Sequence, residues 1–492
     1  MSRSIRCNSV VIRTAVAVLG SLLLFGASPA VGAATVGPLM LVSGPSPFAS
    51  CPDTLGWPSP SITYTNAEVE PFLAVNPKDQ NNMIGVYQED RFGAGGGAHG
   101  LIAVTSLDGG ATWTRSLPRF GKCAGGTPAN GDDYDRNSDP WVSIGGDGIA
   151  YFAGGGAAAA LTITGVLAST STDGGLHWSE PVTIQRDNSP DYSIFNDKPA
   201  VTADPVKPRT AYVVWERSPT DHPYLSMTAD GGKSWSAGRD LTPQEDNLHS
   251  VGNIIAVLPH DGNHGPRTLV DVFHYAKGSF TPDDSFIGLV RSIDGGKTWS
   301  GPITITHKVD VIDVDPDTGH PLRTGAEFGG LPSVAVDPGS GTLYVVWADS
   351  RFSGGTHNDI ALSKSTDGGL TWSTPVKVNQ SPPGVTAFTP SVDVLPDGTV
   401  GVSYYDLRNN TPDPTTLLTD YFLARSDDGG KRWRETQITP TSFDDTTAPD
   451  TPSGFFLGDY QGLANDRDSF KPLFIQTNSG NLDNRTDVWR VR

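Results

Sequence analysis

The chain has 492 residues, of which 57 are Gly and 39 Pro, with 18% charged side chains. That turn-rich composition argues against a helical bundle, while 11 Trp and regular apolar runs argue for a packed core rather than disorder. The formal charge of −19 disfavours nucleic acid and anionic membranes as partners.

The first element is a leader. Arg3, Arg6 and Arg13 precede an apolar run over 15–25, and Val31-Gly32-Ala33 is a small-residue cleavage site. Residues 1–33 therefore read as a secretory signal peptide. No later stretch reaches the roughly 18 apolar residues that span a bilayer. The expected product is secreted, extracellular and without a membrane span, and its charge moves to about −22 once the leader's three Arg are gone. Residues 34–64 form an N-terminal segment able to lend a strand elsewhere. In an exported chain, Cys51 and Cys123 are expected to form a disulfide rather than a metal site or a nucleophile.

From residue 65 onward one motif recurs six times. It is built on Asp108, Asp173, Asp230, Asp294, Asp367 and Asp428, each preceded two residues earlier by Ser or Thr, followed by Gly-Gly, and followed five residues later by Trp. Asp-Gly-Gly is a hairpin signal because glycine takes positive φ at little cost. The Asp can accept hydrogen bonds from the turn amides, and the Trp can pack between sheets. These six aspartates are expected to be structural.

Each motif closes a unit with the same order of strands. Pro-flanked first strands lie at 71–77, 199–205, 332–338 and 390–396. Second strands rich in β-branched and aromatic residues follow at 84–88, 211–215, 343–347 and 400–405. A third strand runs into the Asp-Gly-Gly turn and a short fourth leaves it. Four strands per repeat of about 60 residues predict an all-β propeller. After the sixth motif, segments at 460–464, 471–477 and 487–491 predict a further unit, closed by a strand from 39–43 or from 62–65. That count gives seven blades, with six as the alternative.

In this geometry the starts of first strands and the ends of second strands share the face opposite the Asp-Gly-Gly turns. First-strand starts offer Glu70, Asp139, Asp197 with Lys198, and Asp459 with Tyr460. Second-strand ends carry Asp90-Arg91, Glu216-Arg217, Asp349-Ser-Arg351 and Asp406-Leu-Arg408. Those arginines either order their own loops through the adjacent acid or cluster to bind a carboxylate. The acidic loop of Asp132, Asp133, Asp135 and Asp139 could supply oxygen ligands for Ca²⁺, although it lacks the EF-hand pattern. No cofactor or other metal is expected.

The repeated motif matches the Asp box, the bacterial neuraminidase repeat, and from about residue 65 to the C-terminus the chain resembles the sialidase superfamily. The resemblance implies a six-bladed propeller acting on glycans. It implies Tyr460 as nucleophile and Arg91, Arg351 and Arg408 as the carboxylate-binding arginines, with Asp139 of the acidic loop as the substitute for the family's acid/base group. A tyrosine serves there because a carboxylate nucleophile would be repelled by the substrate's own carboxylate. The chain departs from the family at three places. Val69 stands where an Arg begins the first blade, no carboxylate lies between Arg91 and His99, and Leu331 falls near the place of an assisting Glu. The expectation is a secreted, sialidase-like glycoside hydrolase acting on exo-terminal, acidic sugars, as a monomer. The alternatives are a non-catalytic carbohydrate- or protein-binding propeller and a polysaccharide hydrolase or lyase of other specificity.

Overall fold

The computed structural model describes residues 37–52 and 62–492, apart from 159, 246, 260–266, 279–283, 310 and 325–329. The expected leader lies outside the described residues. The innermost strands of seven units are Val69–Asn76, Arg136–Ile144, Asn196–Ala203, Leu248–Val257, Ser333–Val336, Ala387–Val394 and Gly462–Asn465. Each pairs antiparallel with a second strand, then a third and a short fourth. The sheets of the first two units are joined by a single Ala98–Asn137 backbone pair. Inner strands neighbour one another in chain order, the seventh returns to the first, and all seven line one channel. The molecule is an all-β propeller with seven units in its ring.

The closing unit explains the count. Gly462–Asn465, Phe470–Thr477 and Thr486–Val491 supply three strands, and Leu39–Leu41 supplies the fourth. Leu39 stands opposite Val491 and Leu41 opposite Trp489. Both ends of the described chain thus meet in one sheet. The other candidate segment, Thr63–Tyr64, pairs instead with Phe92 and Arg91 at the end of the first unit's second strand.

Apolar side chains on the two faces of each second strand are buried between neighbouring sheets. Ile84 and Val86 meet Val142 and Phe152, and Tyr212 and Val214 meet Leu269 and Phe273. Each fully buried Val, Leu, Ile or Phe contributes about 1.5–3 kcal/mol. The motif tryptophans extend these layers, with Trp178 edge-on to Phe152 at 5.5 Å.

The six Asp-Gly-Gly turns share one hydrogen-bond pattern. In the fourth, Asp294 accepts from Ser292 Oγ at 2.8 Å, from Thr298 N at 2.9 Å and from Thr298 Oγ1 at 2.7 Å, while Gly296 N donates to Ser292 Oγ at 2.8 Å. Hydrogen bonds from the turn hold the carboxyls of Asp108, Asp230 and Asp367 down at about 2. These residues staple turns, as the sequence leads one to expect.

At the opposite face the inner strands share a second device. Their ladders break between Val69 and Phe72, Ser138 and Trp141, Asp197 and Ala200, Val251 and Ile254, and Phe388 and Ser391. At each break one residue has positive φ: Glu70 at 54°, Asp139 at 53°, Lys198 at 48°, Gly252 at 69° and Thr389 at 49°. Proline follows in four of the five, and because proline has no N–H to donate, the ladder is interrupted there. Such a bulge re-aims the side chain it carries.

Cys51 and Cys123 are joined as a disulfide, tying the N-terminal segment to the connection between the first two units. Three carboxylates of the acidic loop meet protein cations. Asp133 pairs with Arg186 at 3.0 Å, Asp135 with Lys122, and Asp139 with Lys198 at 3.6 Å.

Candidate functional site

The bulges of the first three units deliver Glu70, Asp139 and Lys198 to one mouth of the channel. There they line a cleft of about 340 Å³ together with Asp197, Arg91, Arg136 and Arg323. Two walls are bare backbone, Gly95–Gly97 on one side and Gly155, Gly156 and Ala157 on the other. At Gly97, where φ is 71°, an added Cβ would lie 3.0 Å from the Asn137 carbonyl oxygen. Arg136 pins this wall by donating to the Ala94 and Gly96 carbonyls at 3.0 and 2.6 Å.

The charges are layered. Lys198 Nζ donates to Asp459 Oδ2 at 2.5 Å and faces Asp139 Oδ1 at 3.6 Å. Arg323 reaches the same Asp459 oxygen at 3.5 Å. Asp459 is 3% exposed and lies behind the cleft lining, where it orients both cations. Burial alone would raise its pKa, but Lys198 and Arg323 outweigh that and hold it well below the usual carboxylate range. Glu70 is pushed the other way. Burial and the neighbouring Asp139 charge raise it to about 8, and Gln88 Nε2 donates to its carboxyl while also reaching Ser138 Oγ at 3.1 Å. Asp197 rises to about 6 for the same two reasons. Carboxyls whose environments set them this far apart can divide acid and base roles at neutral pH.

Arg91 completes the lining. Its Nη1 donates to Gln88 Oε1 and to the Gly97 carbonyl, both at 3.1 Å. The guanidiniums of Arg91 and Arg323 each lie 4.6 Å from the Phe456 ring centre. Burial and the nearby Arg323 charge lower Arg91 to about 10. Arg323 arrives on a short strand, Leu322–Arg323, which runs parallel to Gly454–Phe456 outside the ring of blades. Gly458 lets this segment close on the first unit, for a Cβ there would come within 2.7 Å of Glu70 N.

The structure sorts the site residues expected from sequence. Arg91 and Asp139 line the cleft, and Glu70, Asp197, Lys198 and Asp459 gather around them. Arg351 and Arg408 do not join them. Arg351 Nε pairs with Asp349 at 2.8 Å, and its Nη1 donates to Thr306 at 3.1 Å. Arg408 pairs with Asp406 at 2.5 Å and with Glu435 at 2.9 Å. Each is neutralised by the acid two residues before it, so the acid-x-Arg pattern orders its own loop. Arg217 is likewise held, by Asp187 at 2.9 Å. Tyr460 stands below the cleft. Its hydroxyl donates to the Pro140 carbonyl at 3.1 Å, and its ring packs 5.1 Å from Trp141 beside Val251 and Leu331. Burial and the surrounding Glu70, Asp139 and Asp459 charges push its pKa well up, the reverse of what a phenolate nucleophile needs. Arg323, Arg136 and Gln88 were not singled out from sequence. Arg323 and its partner strand sit in irregular insertions that carry no repeat signal.

No family model matches the chain. A curated relative, a sialidase of Bacteroides fragilis (strain YCH46), is 27% identical over 198 residues, covering 35% of this chain and 32% of the relative. The match thus spans about a third of that protein. Among solved structures, an α-L-arabinofuranosidase of Fusarium graminearum is 15% identical with a TM-score of 0.43, over 70% of this chain and 91% of that one. The intramolecular trans-sialidase of Ruminococcus gnavus is 14% identical with a TM-score of 0.42, over 87% and 95%. A xyloglucanase of Xanthomonas campestris is 17% identical with a TM-score of 0.45, over 85% and 52%.

Proposed function

We propose that this chain is an exported glycoside hydrolase that removes an exo-terminal acidic sugar from glycans, working in the cleft between Glu70 and Asp139. The observation that carries the reading is one cleft holding a carboxyl raised to about 8 beside two further carboxyls, Asp139 and Asp197, and four cations, Lys198, Arg91, Arg136 and Arg323. In a chain of net charge −19, such a concentration of cations suits an anionic ligand. The partial sequence match to a sialidase supports the same substrate class.

Glu70 keeps its proton at neutral pH and gives it to the departing glycosidic oxygen. Asp139, beside the Lys198 ammonium, is the carboxylate partner at the sugar's other side and promotes attack by water on the anomeric carbon. Water supplies the hydroxyl to the sugar and restores the proton to Glu70. Arg91 and Arg323 hold the sugar's acidic group, with Phe456 fixing the planes of both guanidiniums. Asp459 is a positioning residue that holds Lys198 and Arg323.

The test is a panel of fluorogenic α-sialosides, uronides and neutral glycosides, run with the wild-type chain, Glu70→Gln and Asp139→Asn. The reading expects turnover of an acidic glycoside and a loss of about 10²–10⁴-fold in both variants. Turnover confined to neutral sugars would overturn the substrate class. Binding of acidic sugars without turnover would overturn the hydrolase.

A further inference from the structure

Outside the cleft, one cluster has metal-ligand chemistry that the proposed reaction does not use. The Cys51 and Cys123 sulfurs and a ring nitrogen of His99 lie within 4.8 Å of one another, a group drawn from the N-terminal segment, the connection after the first unit and that unit's third strand. His99 is 2% exposed, and its Nδ1 lies 3.2 Å from Asp90 Oδ2. Asp90 is itself fully buried and fixed by Ser46 Oγ at 2.7 Å and Asn66 N at 2.8 Å. A carboxylate holding one nitrogen of an imidazole sets its tautomer and raises the basicity of the other, the arrangement typical of metal-bound histidine.

We propose that Cys51, Cys123 and His99 form a redox-gated site for a soft divalent metal such as Zn²⁺, closed as the disulfide and opened by reduction. Two electrons and two protons from a phosphine or dithiol reductant convert the disulfide to two thiols. Metal binding then releases those two protons and joins both thiolates and His99 Nε2 to the ion. Zinc–sulfur and zinc–nitrogen bonds of about 2.3 and 2.0–2.1 Å place tetrahedral ligand atoms roughly 3.5 Å apart. Asp90 acts through His99, and water fills the fourth position. In either state the N-terminal segment stays pinned to the connection after the first unit, covalently when oxidised and through the metal when reduced.

The test titrates Co²⁺, as the spectroscopic probe, into the full chain with the disulfide intact and after phosphine reduction without air. The reduced chain is expected to bind one equivalent with thiolate-to-cobalt charge-transfer absorption and the visible bands of tetrahedral cobalt, all displaced by Zn²⁺, while the oxidised chain shows none. Asp90→Asn should weaken binding by about 10–100-fold, and Cys51→Ser should abolish the charge-transfer band in reduced chain. A reduced wild-type chain that keeps its β-sheet circular dichroism but takes up no cobalt would overturn the proposal. So would loss of sheet structure on reduction, or unchanged affinity in a folded His99→Ala variant.

Discussion

The two faces of this propeller use the same residue type in opposite ways. On one face six aspartates sit in exposed turns, each satisfied by serine or threonine and amides within four residues. On the other, Glu70, Asp139, Asp197 and Asp459 come from four different units and are satisfied, or frustrated, by one another and by Lys198 and Arg323. Hydrogen bonds lower the first set, whereas in the second burial raises Glu70 and Asp197 while Lys198 and Arg323 hold Asp459 down. Repetition marks the residues that make a blade. Chemistry gathers where the repeat is broken differently in each blade, at a bulge whose residue is Glu, Asp or Lys in three units but Gly252 and Thr389 in two others.

The largest test of that contrast is catalytic. Glu70→Gln should lower kcat/KM by about 10²–10⁴-fold on the acidic glycoside of the panel, while Asp294→Asn on the other face should leave it unchanged. The arginines offer a sharper comparison at smaller amplitude. Arg91→Ala should raise KM by about 10–100-fold, the worth of a hydrogen bond to a charged group. Arg351→Ala and Arg408→Ala should leave kcat and KM as they are, because each serves its own loop.

Stability separates the two kinds of acid further. Asp271 lies fully buried on the fourth unit's second strand, and burial pushes its pKa well up against the lowering pull of the Ile254 amide. A carboxyl raised in the fold above its unfolded value of about 3.9 favours folding while protonated in both states. That contribution is fully present below about pH 4 and is lost as pH climbs toward the raised folded value, at about 1.4 kcal/mol per pH unit. Asp271→Asn should therefore flatten the fall of unfolding free energy between about pH 4 and neutrality, read by urea titration. The smallest effect belongs to a single turn. Asp294→Ala should lower Tm by a few degrees without touching kcat.

Much of this was legible in the chain itself. Asp-Gly-Gly and the following Trp act within a few residues, so six turns and the order of strands could be read directly. The closing strand was narrowed to two segments, and pairing with Val491 and Trp489 chose Leu39–Leu41. The acids at first-strand starts were legible too, because the same Pro-flanked position recurs. The arginines were harder. Arg91, Arg351 and Arg408 share a sequence context, yet Asp90 is turned toward Ser46 and Asn66 at a φ of 61°, while Asp349 and Asp406 turn back on their own arginines. Tyr460 follows an acid that faces Lys198, and its own side chain falls beneath that layer among Phe72, Trp141 and Leu331. Such differences arise from packing between distant segments and leave no periodic trace.

The central claim is that Glu70 is the proton donor of the cleft, and the pH dependence of kcat/KM on the acidic glycoside tests it most directly. With a carboxyl raised to about 8, the wild-type rate should hold through neutrality and fall as pH passes about 8, where the donor loses its proton. Glu70→Gln should be slow at every pH and lack that alkaline limb. An alkaline limb that survives unchanged in Glu70→Gln would contradict the account.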